Sequence, residues 1–176
     1  MKYIIQILIT SLLICTLISC DRSKKVKDNL TFSKSNMVYN STNKKNLDRM
    51  VSAGLDELAV EHVVVLLTEI KEPFFNNDYF VKAYIEEISN NFYIIHIIDL
   101  SDKETLEVIS HELVHLEQYK KDDLTVKNTY IIWKGITYTP SEYEAVSHEE
   151  RPWEYEAYQR QKGLSRKIKK RVQSTN

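Results

Sequence analysis

Ser101 opens the stretch of this chain whose local structure is most tightly constrained. Glu104 follows three residues later, the spacing of a helix capping box, and Asp102 adds negative charge where a helix N-terminus is positive. Leu106, Ile109, Leu113 and Leu116 then recur at helical spacing and form one apolar stripe. The predicted helix runs to about Tyr119 and carries ISHELVHLEQ over residues 109–118. Residues four apart lie on one helix face, so His111 and His115 can grip a single metal ion. Both flank the apolar stripe, and Glu112 sits beside the first, placed to take a proton from metal-bound water.

Such a helix must bury its stripe against something. HVVVLLTEI, residues 62–70, is a β-branched apolar run and reads as a buried strand. EPFFNND reads as a loop. YFVKAYIEEI (79–88) and FYIIHIIDL (92–100) flank Ser89-Asn90-Asn91 and read as a hairpin. A shorter helix begins near Asn46, with Leu47, Met50, Val51 and Leu55 at helical spacing and Gly54 weakening its centre. NTYIIWKGITYT (128–139) reads as a second hairpin turning at Lys134-Gly135. A last helix starts at Pro152, a residue suited to the first helical position, and continues to around Gly163. The expected class is α+β, a small mixed sheet packed on the HExxH helix.

The first twenty residues, MKYIIQILITSLLICTLISC, differ from the rest: one cation, Lys2, then an apolar run to Ile18. Residues 1–19 read as a signal peptide, the run being short for a membrane-spanning helix. Leu17-Ile18-Ser19-Cys20 resembles the bacterial lipobox. That resemblance implies cleavage before Cys20, lipid on Cys20, and an exported protein anchored to a membrane of the bacterial cell envelope. Residues 20–44 are polar and read as a tether, 45–164 as the folded domain, and 165–176 as a basic tail, frayed at its end. The two cysteines of the chain are Cys15 and Cys20. The mature domain would then hold no thiol, and any metal must rest on histidine and carboxylate, the ligand types of catalytic zinc. A net charge of −1 gives no steering toward nucleic acid.

HELVH on a capped helix, behind a β hairpin, resembles the zincin metallopeptidases. The metzincin branch is excluded, because Gln118 and Lys121 stand where its glycine and third histidine would be. The gluzincin branch takes a glutamate from a later helix, often in an ExxA setting, and RPWEYEAYQRQ (151–161) matches with Glu154 and Ala157. The resemblance implies a zincin-like fold with Zn(2+) held by His111, His115 and Glu154. It implies hydrolysis of peptide or protein substrates by zinc-activated water, with Glu112 as general base. An extended substrate would pair with one strand of the 79–99 hairpin. Glu156, Glu142, Glu144 and His148 are rivals for the third ligand. Glu154 is preferred because a helix with a defined start fixes ligand geometry better than a loop. Gln118, one turn past His115, can orient a ligand or stand on an exposed helix face. Tyr138, Tyr143, His148 and Tyr158 are possible oxyanion donors, none favoured. His62 and His96 read as structural, and Trp133 and Trp153 as core or rim anchors. The competing function is a zincin-fold lipoprotein that binds or assembles with little turnover; the intact Glu112 argues against it.

Overall fold

A computed structural model describes residues 36–174, apart from 73, 77 and 78. The expected signal peptide, Cys20 and most of the expected tether lie outside the described residues.

The main sheet has four strands: β1 (Met37–Asn40), β2 (Val64–Glu69), β5 (Ala83–Ser89) and β6 (Phe92–Ile97), in the order β1-β2-β6-β5. β1, β2 and β6 run parallel, and β5 pairs antiparallel with β6 at the edge. The sheet is therefore mixed, and with its helices the domain is α+β. Alternate residues of β2 and β6, among them Val65, Leu67, Tyr93, Ile95 and Ile97, are fully or nearly fully buried on one face. On that face lie α1 (Leu47–Glu57), α2 (Asp102–Lys120) and α4 (Pro152–Ser174), which share one core with the sheet. A second sheet of β7 (Leu124–Lys127), β8 (Tyr130–Trp133) and β9 (Ile136–Tyr138) is antiparallel throughout. Its β8–β9 turn is Lys134-Gly135, both at positive φ (47° and 81°), the backbone a two-residue hairpin requires.

Local chemistry explains most of these boundaries. The Ser101 hydroxyl accepts a hydrogen bond from the Glu104 N–H and starts α2. Pro152 starts α4. Between β9 and α4 lie a single helical turn, α3 (Pro140–Tyr143), and a 3-10 turn at His148–Glu150.

Three expectations need correction. β1 lies inside the segment expected to be tether, so the fold begins by Met37 rather than at 45; Asn36, whose amide donates to Val60 O and whose carbonyl accepts from the Val63 N–H, ties down its start. Residues 79–88 are not one strand. The Val81 N–H donates to Phe74 O, which draws the chain off the sheet, so Phe75–Asn76 (β3) and Tyr79–Phe80 (β4) pair separately and the expected loop contains a strand. Finally, α4 does not stop near Gly163 and the basic tail does not fray there. Leu164 and Ile168 are buried in the core, and Lys167 and Arg171 pair with Glu57 and Asp56 of α1, which carries the helix on to Ser174.

Gly54 explains how the three helices meet. A Cβ there would stand 2.3 Å from Leu113 Cδ1 of α2 and 3.0 Å from Ile168 Cδ1 of α4. Both neighbours are fully buried and have little room to move. Gly54→Ala gains about 1 kcal/mol of helix propensity, but overpacking of this kind costs about 1–3 kcal/mol. The expected net result is a loss of stability, read as a lower urea midpoint at unchanged slope.

Candidate metal centre

α2 is buried on two sides. Ile109, Leu113 and Leu116 enter the core, while His111, Glu112, His115 and Gln118 turn toward α4 and are also buried. A helix with polar residues in that position must have partners for them, and α4 supplies those of His111, His115 and Gln118. Glu154 lies in its first turn, where negative charge is favoured. It is seated by its neighbours: Trp153 packs with Leu124 and Trp133 against the β7–β9 sheet, and Ala157 is fully buried.

One carboxylate oxygen of Glu154 gathers the site. Oε2 lies 3.0 Å from His111 Nε2 and 3.2 Å from His115 Nε2, and the two Nε2 atoms are 3.0 Å apart. His148 Nε2 reaches the same oxygen at 3.1 Å from the more open side. The outer nitrogens of the two HExxH rings are anchored as well. His111 Nδ1 donates to Gln161 Oε1 at 3.1 Å, and His115 Nδ1 donates to Gln118 Oε1 at 2.8 Å. An amide oxygen only accepts, so both rings carry hydrogen on Nδ1 and turn Nε2 toward Glu154. Gln118 in turn donates to the Trp153 carbonyl at 3.1 Å, which ties its orientation to the start of α4. The Tyr158 ring lies 4.6 Å from that of His111.

The electrostatics match this geometry. Burial works against the charge on Glu154, but hydrogen bonds from His111, His115 and His148 hold its carboxyl well below the usual range. Burial likewise opposes charge on His115, yet Glu154 outweighs it and lifts the imidazole to about 9. Glu112 behaves oppositely: burial raises its pKa, and His115 and His111 pull it back only in part. No described residue hydrogen-bonds to the Glu112 side chain, which leaves its oxygens available to a proton donor.

His111, His115 and Glu154 are thus brought together as expected, and their donor atoms, all within 4.8 Å of one another, could hold a metal ion. The rivals are placed elsewhere, His148 excepted. Glu156 pairs with Lys134 at 2.6 Å and Arg160 at 3.1 Å. Glu142 caps α3 by accepting from the Thr139 N–H at 2.7 Å. Glu144 is exposed. Tyr138 and Tyr143 pack on Trp153. His96 is held between Thr68 and Glu86 and stacks on Tyr84, a structural role, while His62 is exposed. Gln118 is 1% exposed and orients His115, so the exposed-face alternative fails. Gln161 was missed, although its signal was present: it lies seven residues, two turns, after Glu154 on the same helix side.

No family model matches the chain, and neither a curated protein nor a solved structure matches it significantly.

Removing an outer partner of a ligating histidine typically costs 10–100-fold in metal affinity. Gln118→Ala should therefore weaken metal binding by about that factor, measured by competition with a chromophoric chelator. Unchanged affinity would mean that Gln118 does not orient His115.

Proposed function

We propose that the chain is a lipid-anchored, zinc-dependent endopeptidase of a bacterial cell envelope, built on a zincin-like fold. The observation that carries this reading is the convergence of His111, His115 and Glu154 with Glu112 buried beside them. Two imidazoles and one carboxylate are a ligand set of catalytic zinc. The separations of 3.0, 3.0 and 3.2 Å among their donor atoms lie near the edge of a tetrahedron with metal bonds of ~2.0–2.1 Å. Bound there, zinc would supply Lewis acidity, bringing the pKa of water toward neutrality and polarising a carbonyl.

The chain's own residues have separable tasks. Gln118 and Gln161 hold the two rings with Nε2 inward. Glu112 accepts the proton of the attacking water and delivers it to the leaving nitrogen; its raised pKa brings it closer to the range useful for that exchange. Substrate pairing falls to β5, because β6 is flanked by β2 and β5 and has no free edge. β5 also packs against α2, and an extended peptide added to its outer side would lie along the HExxH helix. Seven residues on from Glu112, Tyr119 lines a hollow of about 440 Å³ with Glu87 of β5 and Val126 of β7, room for a substrate side chain. Export and attachment through lipid on Cys20 rest on the sequence of the first twenty residues.

Two substitutions test the reading. Glu154→Ala should abolish stoichiometric zinc in the purified protein, measured by elemental analysis; full occupancy would overturn the ligand assignment. Glu112→Gln should keep zinc and lose cleavage of a peptide library by at least about a hundredfold. Equal turnover in the two proteins would remove Glu112 as base. Zinc binding without cleavage in the unaltered chain would instead favour a binding or assembly role for the same scaffold.

A further inference from the structure

From Ala157 to Asn176 the chain carries seven Lys or Arg and no Asp or Glu, although its net charge is −1. The structure sorts these cations into two groups. Arg160, Lys167 and Arg171 are spent on Glu117, Glu156, Glu57 and Asp56. Lys162, Arg166, Lys169 and Lys170 are exposed and have no partner among the described residues. Their spacing puts them on one strip along about 12 Å of α4, on the side away from the buried Leu164 and Ile168. Glu154 projects roughly a quarter of a turn away from this strip, so a surface meeting the strip leaves the metal centre uncovered.

We propose that this strip of α4 docks on an anionic phospholipid surface. Charge complementarity carries the assignment: four cations without a neighbouring acid are attracted to anionic headgroups, and each adds to the attraction. Tyr155, exposed on the same side, lies about 10 Å before Lys162; no large hydrophobic residue is exposed on α4 beyond it, so from Lys162 to Lys170 the contact is made at the level of the headgroups. Between Lys162 and Lys170 the strip has no exposed aromatic residue to stack on a base and only one guanidinium, which disfavours nucleic acid. The inference does not depend on zinc or catalysis. It draws on the N-terminal reading only for the nearness of a bilayer.

The test uses the full chain with vesicles of phosphatidylcholine alone or of an equal mixture with phosphatidylglycerol. Amine acylation of individual lysines is followed by mass spectrometry. Lys162, Lys169 and Lys170 should react at least about fivefold more slowly on the mixed vesicles, and high salt should restore the rate. Lys127, exposed on β7, serves as the unchanged reference. Equal reactivity on both vesicles would overturn the proposal. So would protection on both alike, or stronger protection by added duplex DNA than by phosphatidylglycerol. Flotation with phosphatidylcholine vesicles reports separately on the N-terminal anchor: its loss would refute the anchor and leave the lysine comparison decisive for the strip.

Discussion

The crossing of α2 and α4 depends on the buried carboxylate of Glu154. Glu154 is 8% exposed, and taking a carboxylate out of water costs several kcal/mol unless partners compensate. Compensation comes from three imidazoles that belong to other parts of the chain. The contact therefore works as a clasp between α2 and α4, two helices whose site residues are about forty positions apart. Around it lie further ties of the same kind. Gln161 meets His111, Gln118 meets the Trp153 carbonyl, and Arg160 pairs with the buried Glu117. A polar crossing this well satisfied fixes the helices in one register, which an apolar contact alone specifies less sharply.

The sheet and the small helix serve that crossing. α1 lies close to both long helices because Gly54 offers no side chain where Leu113 and Ile168 press in. The β7–β9 sheet contributes Leu124 and Trp133, which grip Trp153 immediately before Glu154. The apolar stripe of α2 and its polar site face are thus positioned by different neighbours, the main sheet with α1 for one and α4 for the other.

Much of this was legible in the residues because it is decided locally. The cap at Ser101, the proline at 152 and the Lys134-Gly135 turn each depend on a few adjacent residues, and all three stand where the sequence places them. Glu154 was legible through its ExxA setting, which the gluzincin resemblance singles out, and through the marked start of its helix. What escaped depends on distant partners. MVYN is too short and too polar in its setting to announce β1; it becomes a strand because Val64–Leu67 lies alongside. Gly163 looked like a stop, but contacts of Leu164 and Ile168 with the core, and salt bridges to Asp56 and Glu57 more than a hundred residues away, override it. Gln161 lies on the same helix side as Glu154, but its part is defined by a distant partner, His111.

Trp153 carries a consequence of its own. Its side chain belongs to the core of the small β7–β9 sheet, its carbonyl receives Gln118, and the next residue is Glu154. The docking of that sheet and the position of Glu154 are therefore coupled through one residue, and such coupling is reciprocal. Whatever tightens the clasp also steadies the sheet, and whatever pries the sheet loose also loosens the clasp. The small sheet is in this sense a handle on the crossing of α2 and α4, held by residues that lie outside the crossing itself.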